Sequence, residues 1–121
     1  MKLADIVHSK EYVLNNEDAI ENDMIMGNDI KIIGHFGNIV SLIIWTSSVC
    51  IISGYNNTGN LGLIIKAIVE LLGVDDEDGY CFSKLKNVPC RIIVRDNKCV
   101  GFGHFMKDKF VYVNDLAKIT E

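Results

Sequence analysis

The sequence predicts an α+β fold, with antiparallel β-hairpins arranged around one main buried helix at about residues 60–72. Three observations carry that prediction. Short runs rich in Ile and Val recur along the chain, and most end in residues that favour turns. One segment, Asn60 to Leu72, carries the apolar repeat of an amphipathic helix. The chain is 121 residues long, enough for one hydrophobic core, so residues 1–121 are expected to form a single domain.

Each element follows in order. Tyr12-Val13-Leu14 is expected to form a short strand, and Asn15 to Asp23 (NNEDAIEND) to be a solvated acidic loop or a short helix. From Asp29 the strand signal takes over in DIKIIGHF, NIVSLIIW and VCIISGY, with Gly37-Asn38 and Thr46-Ser47-Ser48 placed as hairpin turns. Ile39 to Trp45 does not alternate cleanly, which is the mark of a strand covered on both faces. One main helix can hardly supply both covers, so the run argues for a partner subunit. In the helix, Leu61, Ile64, Ile65, Ile68, Leu71 and Leu72 follow the i, i+3, i+4, i+7 rule, with Asn60 or Thr58 as N-cap and Gly73 just past the end. Its polar face is little more than Lys66 and Glu70, a second argument for assembly. Tyr80 to Leu85 is expected to make a helical turn that Asn87-Val88-Pro89 stops. Cys90 to Arg95 and Cys99 to Phe105 form a hairpin about Asp96-Asn97-Lys98. A tight turn at Lys107-Asp108-Lys109 leads to Phe110 to Val113, and Asn114 caps a last helical turn, Asp115 to Ile119.

Composition excludes some functions. The formal charge is −4 and the only arginines are Arg91 and Arg95, so the basic face that duplex nucleic acid requires is not expected. The longest apolar region, Ile39 to Ile52, is interrupted by Thr46-Ser47-Ser48 and too short to span a bilayer. The N-terminal MKLADIVHSK lacks a secretory pattern. A cytoplasmic location with free thiols at Cys50, Cys81, Cys90 and Cys99 is therefore the expectation. The cysteines show no close pairs of zinc-ligand spacing, and Asp75-Asp76-Glu77-Asp78-Gly79 does not align with a calcium loop, so no metal or cofactor is expected.

Three features carry candidate chemistry. Gly54 to Gly62 joins a strand to the N-terminus of the main helix, where unpaired N–H groups favour an anion. There Tyr55 would stack on a base, and Asn56, Asn57, Thr58, Gly59 and Asn60 would read polar edges. The same composition also suits an ordinary connector, since the Walker pattern is absent. Arg91 and Arg95 are an even number of residues apart on one strand, so they share a face and would clamp an anionic small molecule, or simply line a solvated surface. Gly-His-Phe occurs twice, around His35 and His104, each at a strand end; a histidine bonded to backbone is the plainer reading beside a general base or ligand-binding role. No catalytic residue is assigned.

Four stretches resemble a loose group of small, mostly uncharacterised phage and prophage proteins. They are Ser53-Gly54-Tyr55, Leu71-Leu72-Gly73-Val74, Leu85-Lys86-Asn87-Val88-Pro89-Cys90-Arg91-Ile92, and Gly103-His104-Phe105-Met106-Lys107-Asp108-Lys109-Phe110. The resemblance covers the C-terminal half and implies a phage accessory protein, a group that includes counter-defence proteins working in the host cytoplasm. The expectation is a non-enzymatic protein that assembles as a dimer or larger and sequesters a host factor. That factor is either a nucleotide-type immune signal, bound by the Gly54 to Gly62 loop with Arg91 and Arg95, or a host defence protein. The alternatives are a structural or regulatory phage protein without a small-molecule site, and a small hydrolase using His104 or His35 with an acidic partner such as Asp108.

Overall fold

The computed structural model describes residues 1–33, 39–48, 51–57 and 60–120. Its strands are β1 (Ala19–Ile33), β2 (Ile39–Thr46), β3 (Ile51–Asn57), β4 (Pro89–Arg95), β5 (Lys98–His104) and β6 (Phe110–Tyr112). Every pairing is antiparallel and the spatial order is β3-β2-β1-β4-β5-β6, which makes the fold α+β. The sheet curls until β3 comes against β5 and the last helix.

Helices α1 (Leu3–Ile6), α3 (Leu61–Leu72) and α4 (Val113–Leu116) contribute to the main core on one sheet face. In α3, Ile64, Ala67, Ile68, Val69, Leu71 and Leu72 are buried, and Gly73 ends the helix at φ 72°, the left-handed conformation that suits glycine. Across the sheet these side chains meet Ile25, Leu42, Ile44, Ile92 and Phe102. The opposite face has a smaller core of Val13, Ile93 and Phe110, with Ile20 and Tyr112 against it.

Two expectations for the N-terminal region need correction. Residues 12–14 belong to a helix, α2 (Lys10–Asn15), in which Ser9 accepts a hydrogen bond from the Tyr12 N–H. An N-cap plus one fully buried contact, Val13, outweighs the strand propensity of three apolar residues. The acidic stretch beyond it forms strand from Ala19, because β4 offers a ladder from Ala19↔Val94 to Met24↔Pro89. Asp18 and Asp23 are buried there and held by specific partners, so their charge does not force the segment into water.

The hairpins at the C-terminal end form as expected. Asp96 and Asn97 both take positive φ in the two-residue turn between β4 and β5, as a primed hairpin turn requires. A 3₁₀ turn at Phe82–Leu85 precedes Pro89. The last helix begins at Val113, with no side-chain cap from Asn114. Among the described residues no helix is long and apolar enough to cross a membrane.

Candidate functional site

Strand β4 sets the directions of both arginines. Arg91 and Arg95 project on the face of the smaller core, each over an aromatic ring of β6. The Arg91 guanidinium carbon lies 4.5 Å from the Phe110 ring centroid, and that of Arg95 lies 5.7 Å from that of Tyr112. Gly103 makes the first stack possible: it pairs with both Arg91 and Phe110, and a Cβ there would overlap the Phe110 ring.

Both guanidiniums are engaged by the chain itself. Arg95 donates through Nε and Nη2 to the two oxygens of Asp18, at 2.7 and 2.8 Å, and the Tyr112 hydroxyl donates to the same carboxylate at 2.7 Å. The Asp18 side chain is 1% exposed against 50% for Arg95, so the arginine forms the lid over a buried charge. The Arg95 hydrogen bond holds the Asp18 carboxyl below its usual range, overcoming burial, with Tyr112 adding to the effect. Burial, then the bond to Asp18, pushes the Tyr112 hydroxyl up. His8 stacks on Tyr12 at 4.0 Å between ring centroids and meets Tyr112 edge-on at 5.7 Å, extending the aromatic surface beside this ion pair.

Among the described residues no carboxylate pairs with Arg91. It donates to the carbonyl oxygens of His104 (2.9 Å) and Lys107 (2.7 Å), fastening the loop between β5 and β6. His104 organises the same loop. Its Nδ1 accepts from the backbone N–H groups of Met106 and Lys107, both at 2.9 Å. The ring is therefore the neutral tautomer with hydrogen on Nε2, which lies against Gly73 at the end of α3. Burial, then the charges of Lys107, Arg91 and Lys109, hold the imidazole below its ordinary value. Nδ1 is occupied as an acceptor, so this nitrogen cannot take a proton from a substrate without releasing the loop.

Among the described residues, Asn60 stands apart from the two arginines. Asn60 donates from its side-chain amide to the Ile119 carbonyl at 2.9 Å, on the main-core face, whereas Arg91 and Arg95 occupy the other. Tyr55, Asn56 and Asn57 are at the end of β3, and Thr58 and Gly59 lie outside the described residues. His35 also lies outside them. His104 joins Arg91 through the loop, and that corner carries Lys107 and Lys109 as further exposed cations.

Two features escaped the sequence reading. A shallow trough of about 580 Å³ runs between α1 and the end of α3, with Leu3, Val7 and Leu71 in its wall and Glu70 and Lys109 at its rim. Only the docking of α1 creates it, and four residues of helix carry no signal for where they will pack. The second is Asp23, which accepts hydrogen bonds from Ser47 Oγ at 2.6 Å, from Ser48 Oγ, and from the Met24 N–H at 2.8 Å. Burial pushes this carboxyl up, but the hydroxyls of Ser47, Ser48 and Thr46 and the Met24 N–H outweigh it and bring it to about 2. Its neighbour Cys90 is pushed up to about 12 by burial and by the Asp23 charge, an inert thiol. Cys81 and Cys90 are free, while Cys99 is disulfide-bonded, which corrects the expectation of a free thiol there. Among the described residues no group of three or more His, Cys, Asp or Glu is placed to hold a metal ion.

No protein-family profile, curated protein or solved structure matches this chain.

Proposed function

We propose that this chain is a non-enzymatic, phage-type binding protein with a counter-defence role, which assembles as a dimer or larger and sequesters a factor in the host cytoplasm. The observation that supports this reading best is the exposure of large apolar side chains on both faces of the β1–β2 ladder, Ile30 and Ile32 on one and Ile39 and Trp45 on the other. Clusters of large apolar side chains at a protein surface mark interaction sites. Helix Leu61–Leu72 enters the reading as the one main buried helix. Its Leu63 and Ile65 are only half-buried, and an assembly would cover them further.

Of the two host factors, a protein fits better than a nucleotide-type signal. Phosphate recognition needs unengaged cationic donors. Arg95 is neutralised by Asp18, Arg91 donates to two carbonyls, and the chain carries a net charge of −4. A structural or regulatory phage role without a small-molecule site is the second reading, favoured by the same engaged arginines. The hydrolase reading is the weakest, because His104 Nδ1 already accepts two backbone N–H groups.

Native mass spectrometry of protein purified directly from bacteria, followed by heat release, tests the proposal. The expected result is a defined oligomer that retains a co-purified host protein and releases no small molecule. An intact nucleotide in the released fraction would restore the nucleotide version. A monomer without any partner would overturn both.

A further inference from the structure

Strand β1 changes neighbours partway along its length. Residues 19–24 pair with β4, and residues 25–33 pair with β2 on the other side. Beyond Gly27, among the described residues, no strand takes the place of β4. The segment 28–32 is thus an open edge, and Ile30 and Ile32 on it are 44% and 65% exposed. Soluble proteins normally blunt such edges, because unpaired N–H and C=O groups invite another strand.

The direction of the backbone groups along this edge is fixed by three observations. Ile25 directs its N–H away from β2, to the Val88 carbonyl at 2.9 Å. The bulge between Ile25 and Gly27 inserts one residue, so the outward set beyond it becomes Asn28, Ile30 and Ile32. In agreement, the Ile30 N–H turns away from β2 and donates to Asp29 Oδ1 at 2.8 Å, a local bond that strand pairing at this edge would exchange.

We infer that this edge pairs with the same edge of a second copy, antiparallel and in a two-fold register centred on Ile30. The inference rests on the assembly reading above and deepens it by naming the surface. In that register Ile30 exchanges both backbone hydrogen bonds with its counterpart, and Asn28 does so with Ile32 of the second copy. Asp29 then stands opposite Lys31 of the second copy, and Lys31 opposite its Asp29. These are the non-hydrogen-bonded positions of an antiparallel ladder, where Cα atoms approach to about 4.5 Å and side chains are closest.

Charge selects both the occupant and the register. A centre at Asn28 or Ile32 leaves Asp29 and Lys31 without each other, and a centre between residues would set outward groups against inward ones. Only the Ile30-centred two-fold forms both opposite-sign pairs, and an interface of a chain with itself requires that self-complementarity. Charges placed merely to repel other strands would not need to match in this way. On the other face, Ile30 and Ile32 of the two copies gather into one apolar cluster. It continues from Val40 and Leu42, their buried cross-strand partners in β2. Strand addition of this kind draws its affinity from main-chain hydrogen bonds and its specificity from the alternate side chains.

Charge reversal in the full chain tests the register. Sedimentation equilibrium would compare the natural protein with Lys31→Asp, Asp29→Lys and the double variant Asp29→Lys/Lys31→Asp, with circular dichroism confirming that each folds. Either single change turns two attractive pairs into two repulsive ones and is expected to weaken dimerisation by about tenfold or more. The double variant recreates both pairs in reverse and is expected to dimerise close to the natural protein. A dimer equally tight in all four proteins would overturn the edge while leaving self-assembly in place. A double variant as weak as the single ones would overturn the charge pairing and the register with it. A natural protein that stays monomeric at high micromolar concentration would overturn self-assembly, and with it the edge.

Discussion

The two halves of β1 share one backbone and meet opposite surroundings. In the first half, Ile20 packs towards Val13, Ile93 and Phe110, and Asp23 accepts from the adjacent Met24 N–H and from the Ser47 and Ser48 hydroxyls after β2. Every outward group there meets β4. In the second half β2 replaces β4 as the paired strand, on the opposite edge, and two isoleucines on the edge away from β2 stand exposed. The transition takes place at Ile25, whose N–H and carbonyl are taken by Val88 and Asn87 as β4 begins. The contrast teaches that strand residues do not own their burial. A neighbour confers it, and where none is supplied among the described residues, the edge stays open.

The largest effect is expected where the first half is packed. Phe110 is fully buried, anchors the smaller core and carries the Arg91 stack. Phe110→Ala should therefore cost about 3–5 kcal/mol in urea unfolding, as is typical of large aromatic truncations. A loss near zero would show that the smaller core does not hold the first half of β1.

Next comes Asp23. Its carboxyl is lowered in the folded state, from an ordinary value of 3.8 to about 2, so it stabilises the fold fully above the ordinary value. That contribution is lost as pH falls towards about 2, and is worth about 2 kcal/mol at most. Asp23→Asn should remove it and flatten the acid limb of the stability profile between those two values. An unchanged acid limb would mean the Ser47 and Ser48 bonds do not govern the join between the halves.

At the bulge, Gly27 lies beneath the indole of Trp45, and a Cβ there would collide with the ring. Gly27→Ala should displace Trp45 at a cost of about 1–2 kcal/mol. Because Trp45 is the sole tryptophan, its fluorescence should shift to the red. Unshifted emission would show that the ring does not depend on the glycine.

The smallest effect on folding belongs to the open half. Ile32→Lys should change monomer stability by no more than about 0.5 kcal/mol, as for a surface substitution. The same change should weaken self-association. A large folding defect would erase the distinction between the halves.

What was legible in the sequence was whatever depends on near neighbours in the chain. The repeat of α3 and its stop at Gly73, the Asp96-Asn97 turn and the halt at Pro89 all rest on local dihedral preference and apolar spacing, and they stand in the structure. Residues 12–23 were misjudged because their fate depends on distant partners. Val13 reads as strand until Phe110 and Ile93 are placed against it, and Asp18 reads as solvated until Arg95, 77 positions away in the chain, covers it. The arginines show the same division. Their shared face followed from strand periodicity, while their neutralisation by Asp18 and their engagement by loop carbonyls did not. For His104, the sequence suggested a residue bonded to backbone, and its Nδ1 takes that role.

By itself, then, the sequence determined the α+β class, the C-terminal hairpin and the extent of α3, because turn chemistry and periodicity act within a few residues. The tertiary structure alone decided which carboxylates are buried, how the guanidiniums are engaged, and where β1 exchanges β4 for β2 as its neighbour. Those outcomes depend on contacts between segments far apart in the chain, and no local preference encodes them.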